Sequence, residues 1–126
     1  MALLGTASEA TGPAKTRLEE LRRVILAAAD VPLKEDTRWG QHSFLPPAAS
    51  GTAVRLHWTK DTPERVEMLV HCGTDLVAQW RDIYDGMFAF DGKRALHLSA
   101  EGKLDTAAVA HMAAMAFTYT ARATAL

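Results

Sequence analysis

The sequence predicts an α+β fold: one domain with an antiparallel sheet of about five strands and helices packed on one face. Three observations predict it. Residues 52–58 and 66–72 alternate apolar and polar side chains with period two, as half-buried antiparallel strands do. Residues 16–29, 74–84 and the stretch after Asp105 repeat apolar side chains at helical spacing. Strands and helices do not alternate one by one, so parallel βαβ units are absent and the order reads α-β-β-β-α-β-β-α.

Residues 1–15, "MALLGTASEATGPAK", are small and polar and read as a disordered leader, with the domain over 16–126. They lack a cationic start and a long apolar run, so no secretory signal is expected. Thr16 and Glu19 have capping-box spacing. Leu18, Leu21 and Ile25 then share a helical face up to about residue 29. "RWGQHSF", 38–44, reads as the corner that turns this helix into the sheet. Gly40 allows the change of direction, and Trp39 is expected to plug the edge of the core. A Trp39→Ala replacement would then cost roughly 3–5 kcal/mol.

"HSFL" is a short strand stopped by Pro46 and Pro47. In 52–58, Val54, Leu56 and Trp58 face inward, with Arg55 and His57 outward. In 66–72, Val66, Met68, Val70 and Cys72 face inward, with Glu67, Leu69 and His71 outward. A hairpin symmetric about residue 62 sets His57 opposite Glu67 and Arg55 opposite Leu69. Leu76, Trp80 and Ile83 mark the second helix. Asp91-Gly92 between two short apolar runs is a hairpin signal, with Phe88, Phe90, Leu96 and Leu98 inward and His97 outward. Asp105 caps the last helix, whose face of Val109, Met112, Ala116 and Tyr119 is widened by Met115 and Phe117.

Composition narrows the function classes. The chain is 48% hydrophobic and 23% charged, an ordinary globular balance. Fourteen basic residues oppose fifteen acidic ones with no basic block, so nucleic acid is not an expected partner. No segment reads as a membrane span. Cys72 is the single cysteine, which excludes an intramolecular disulfide and suits a reduced cytoplasm. No P-loop, dinucleotide fingerprint, HExxH or EF-hand pattern is present, so no cofactor is expected.

Several pieces resemble the YdhG-like family, a domain of unknown function found widely in bacteria. They are "LEELRRVILAAAD", "RWGQHSF", the pair "AVRLHW" and "VEMLVHCGTDL", "FDGKRALHL" and "AAMAFTYTAR", spanning about 16–122. The resemblance implies the same α+β fold. Many relatives of this pattern carry Pro at the position of His42. Some are likened to frataxin-like iron carriers, a role that needs clustered carboxylates on the first helix. Here Glu19 and Glu20 stand beside Arg22 and Arg23, so iron delivery is not carried over.

The candidate ligand-binding residues are Trp39, His42, Arg55, His57, Glu67 and His71. His57, His71 and His97 on an outward face, with Glu67 as an oxygen ligand, could meet a divalent metal. Trp39, Trp58 and Trp80 could line an apolar pocket with His42 at its rim; three tryptophans in a small domain also serve as core. His71 and Cys72 point to opposite faces and cannot pair, and Ser43 and Ser99 lack a Gly-rich elbow. No catalytic constellation is visible. The sequence reading is a non-catalytic binding module for a small ligand or metal. The alternative is a homodimeric or protein-docking domain.

Overall fold

The computed structural model describes residues 2–124. A 3₁₀ turn (Thr6–Glu9) precedes α1 (Gly12–Ala28), β1 (Lys34–Arg38), β2 (Gln41–Leu45), β3 (Val54–His57) and β4 (Arg65–Leu69). Then come α2 (Leu76–Ile83), β5 (Ala89–Asp91), β6 (Ala95–Ser99), α3 (Thr106–Phe117) and α4 (Tyr119–Thr124). The strands form one sheet in the order β1-β2-β3-β4-β6-β5, every pair antiparallel. The α+β class is as the sequence predicts, with one strand more.

That strand is β1, "KEDTR". It is an edge strand with no apolar alternation, which is how edges avoid pairing with other chains and why periodicity misses it. The expected corner is therefore a hairpin. β1 pairs with β2 from Lys34↔Leu45 to Arg38↔Gln41, which leaves Trp39 and Gly40 as a two-residue loop. Both have positive φ, 51° and 71°, as a type I′ turn requires.

Alternation then sorts the sheet into two faces. Phe44, Val54, Leu56, Val66, Met68, Leu96 and Leu98 are buried in the core with Leu18, Leu21 and Ile25 of α1 and Val109, Met112 and Ala116 of α3. The β3–β4 register is the expected one, Arg55↔Leu69 and His57↔Glu67. Asp105 caps α3 by accepting from the Ala108 N–H at 3.0 Å.

Residues 2–15 are not a disordered leader. Ala7, Ala10 and Ala14 are buried, Gly5 bridges to Gln41, and the Thr6 N–H donates to the Gly40 carbonyl at 2.7 Å. Small side chains suit disorder by composition, but here their size allows close packing. α1 starts four residues earlier than expected, with Pro13 in its first turn, where the missing N–H is no loss. Thr16 is consequently inside the helix, its hydroxyl donating to the Gly12 carbonyl at 3.4 Å, and forms no capping box. Cys72 is exposed. β4 ends at Leu69, and a turn closed by Thr74 N–H to the His71 carbonyl (3.1 Å) ends the alternation.

The last helix breaks at Thr118 because the β2–β3 loop takes the carbonyls at the end of α3. The Thr52 N–H donates to Ala116 at 2.9 Å and the Ser50 hydroxyl to Phe117 at 2.5 Å. Gly51 sits so close that a Cβ there would lie 2.3 Å from the Ala116 oxygen.

One ionic cluster lies on the helix side of the sheet edge. Glu35 of β1 accepts two bonds from Arg22 of α1, at 2.7 and 2.8 Å. It accepts a third from His42 Nε2 at 2.9 Å. His42 Nδ1 accepts from the Leu4 N–H at 3.0 Å, so the ring proton sits on Nε2. The Arg22 bonds, helped by His42, hold the Glu35 carboxyl below its ordinary value near 4.5, against the opposing effect of burial.

Three outcomes are expected. Gly51→Ala should lower stability by about 1–3 kcal/mol through overpacking against backbone, read by urea denaturation. A depressed carboxylate stabilises above its unfolded value and loses that contribution as pH falls through the folded value. Stability should therefore drop below about pH 4.5. Glu35→Gln should lower stability at neutral pH by about 2–3 kcal/mol and flatten part of the acid limb. Denaturation curves across that range check both, and wild-type stability of Glu35→Gln at pH 7 would remove the cluster from the supports of the fold.

Candidate functional site

The sheet face turned away from the core carries two rows of side chains. Ser43, Arg55, Leu69, Ala95 and Asp91 follow one another across β2, β3, β4, β6 and β5. His57, Glu67 and His97 form the adjoining row. Leu69 and Ala95 are buried although they face away from the core cluster. They help line a hollow of about 180 Å³ with Gln41, Arg55, His57, Glu67, Asp91 and Arg94.

Arg55 is part-buried in the hollow. One Nη2 hydrogen bond, 3.3 Å to the Val70 carbonyl, holds it, and the Trp39 ring centroid lies 4.9 Å from its guanidinium carbon. Burial, then the nearby Arg94 charge, holds its pKa below the ordinary arginine value, with Cys72 acting the other way. Neither Arg55 nor Arg94 has an ion pair among the described residues. The acids of the hollow turn to His97 instead, whose Nε2 lies 3.0 Å from Glu67 and 3.9 Å from Asp91. Gln41 Oε1 is buried and accepts no hydrogen bond.

His57 forms one wall. Its Nδ1 is 2.8 Å from the Thr6 hydroxyl, so the amino-terminal segment fixes the ring. On its other side lies a wider groove of about 710 Å³ with Thr6, Glu9, Thr11, Trp58, Thr59 and Lys60.

Of the six residues expected at a site, four meet here: Trp39, Arg55, His57 and Glu67. His42 does not. It is fully buried on the core side, stacked on Phe44 at 4.8 Å, with both ring nitrogens engaged. Its partners Glu35 and Leu4 are far off in sequence or on an edge strand, so nothing local marks it. His71 does not either, because the chain has left the sheet. It is exposed in a turn, with Nδ1 accepting from the Gly73 N–H at 2.9 Å.

Trp39 is not a core plug; it is 77% exposed, since the hairpin loop carries it past the end of the sheet. Trp58 and Trp80 are core, so the three rings form no common pocket. No group of three or more His, Cys, Asp or Glu able to hold a metal ion exists among the described residues. His97 Nε2 bonds Glu67 and His57 Nδ1 bonds Thr6.

Gln41 and Arg94 were missed. Gln41 could have been found from alternation with Ser43 once the β2–β3 register was known. Arg94 sits in the loop between β5 and β6, where no periodicity applies.

Trp39 holds a backbone conformation that costs a non-glycine residue about 1–2 kcal/mol. Trp39→Ala is expected to cost less than ~1 kcal/mol. Trp39→Asn should be neutral or stabilising, because Asn tolerates this turn and the relief offsets the lost ring contact. Denaturation followed by circular dichroism checks both, and a loss of 3 kcal/mol in Trp39→Ala would overturn the exposed placement.

No helix among the described residues is long and apolar enough to cross a membrane. No family model, no curated protein and no solved structure matches the chain.

Proposed function

We propose that the protein is a non-catalytic binding module for a small polar ligand, with its site in the outer-face hollow. One observation carries this. Arg55 is a part-buried cation without a carboxylate partner, in a hollow that also holds an unbonded buried acceptor, Gln41 Oε1. Buried charges and polar atoms are normally satisfied, and a ligand would satisfy both. Membership of the YdhG-like family and a cytoplasmic setting are parts of the same proposal, supported by the motifs and by the lone cysteine. Arg55 and Arg94 in the lining, with no three-residue metal-ligand cluster among the described residues, favour an organic or inorganic anion over a cation.

A docking or homodimeric domain is the second reading. It is favoured by Ile83 and Met87, 50% and 60% exposed near the end of α2.

The test is a thermal melt against a panel of small carboxylates, phosphates, amino acids and polyols. A ligand at a hundred times its Kd stabilises by about 2.7 kcal/mol, roughly a 10 °C rise for a domain of this size. Arg55→Gln should abolish the rise. A panel without effect, with a dimer by light scattering, would favour the second reading.

A further inference from the structure

Two arginines that leave water in this fold take a carboxylate with them. Arg17, 6% exposed, lies 3.4 Å from Glu20, and Arg22 grips Glu35 through two bonds. Among the described residues Arg55 has none, and neither has the half-buried Arg65 at the start of β4. What sets Arg55 apart is its place: the exposed Arg94 lines the same hollow, and two like charges at one hollow repel unless an anion joins them. The acids that could supply the countercharge, Glu67 and Asp91, are directed at His97. The exposed Trp39 ring lies over Arg55, which fixes the plane in which a guanidinium offers paired donors.

The second demand has the opposite sign. Gln41 Oε1 needs a donor, not an acceptor. A bare anion satisfies the arginines and leaves this oxygen unpaired.

Size is the third limit. At about 180 Å³ the hollow is below the ~300–1,000 Å³ of pockets for drug-sized ligands. It equals the liquid volume of about six waters. A nucleotide or a large cofactor is excluded.

We propose that the hollow binds a short carboxylate carrying a hydroxyl or ammonium group on the adjacent carbon, with the carboxylate on Arg55 and Arg94 and the donor on Gln41 Oε1. This rests on the outer-face hollow being the binding site. The hydroxy and amino acids share the chemistry the site demands, and the experiment separates them.

The full ¹⁵N-labelled chain is titrated with acetate, glycolate, glycine and inorganic phosphate. Backbone amide and arginine Nε–H signals are followed. Glycolate or glycine is expected to bind at least tenfold more tightly than acetate, with shifts centred on Gln41, Arg55 and Arg94. Gln41→Leu should reduce the better of the two to the level of acetate. Arg55→Gln should abolish binding of all three carboxylates. Amide dispersion checks that each variant folds. If Arg55→Gln does not fold, Arg94→Gln replaces it and should weaken binding about tenfold. Unchanged affinity there overturns the assignment. Equal binding of acetate, glycolate and glycine removes the role of Gln41. Phosphate alone moving the same signals keeps the hollow as a site and overturns the carboxylate class. No movement with any probe overturns the carboxylate assignment, and the thermal melt against the wider panel then decides whether the hollow is a site at all.

Discussion

Glu35 is a carboxylate on the core side of an edge strand, and the geometry of that end of the molecule depends on how its charge is met. β1 has one strand neighbour and little apolar surface of its own. Its attachment to the helical layer runs through the bidentate Arg22 pair, and its attachment to the amino-terminal segment through His42 and the Leu4 N–H. A buried ion pair contributes little net stability against apolar residues of the same shape, but breaking one side of it is costly. The cluster therefore acts as a specificity device. It holds α1, β1, β2 and residues near Leu4 in one arrangement.

That arrangement decides what the opposite face looks like. The hairpin held by Glu35 projects Trp39 past the sheet, where its ring meets Arg55. The amino-terminal segment pinned at Leu4 continues to Thr6, which fixes His57. On the core side His42 has both ring nitrogens paired within the chain, while the buried Trp80 indole N–H has no partner. On the outer face Arg55 has one bond, to the Val70 carbonyl, and no carboxylate, and Gln41 Oε1 accepts no hydrogen bond. The contrast between neighbours in one strand, His42 satisfied and Gln41 not, is the clearest mark of a surface suited to a ligand.

The core follows a simpler rule. Apolar side chains at period two in the strands and at helical spacing in α1 and α3 meet in one cluster. Where that cluster ends, backbone groups take over. The β2–β3 loop intercepts the last carbonyls of α3 and turns the chain into α4.

Much of this was legible in the residues. Alternation in 52–58 and 66–72 determined the two faces and, with a symmetric hairpin, the pairing of Arg55 with Leu69 and His57 with Glu67. Asp91-Gly92 and Asp105 marked the second hairpin and the α3 cap. These signals are local, because burying an apolar face imposes a period on neighbouring residues. The tertiary structure alone decided the rest. A charged edge strand has no period, so β1 was hidden, and with it the fact that Trp39-Gly40 is a hairpin turn. Small residues near the start read as disorder until a surface existed for Ala7 and Ala10 to pack against. The fate of a polar side chain depends on a partner distant in sequence. His42 is closed off by Glu35 and Leu4, His71 is carried away by a turn, and Arg55 gains a neighbour in Arg94. Pairing between residues distant in sequence is set by three-dimensional proximity, which local spacing along the chain does not encode.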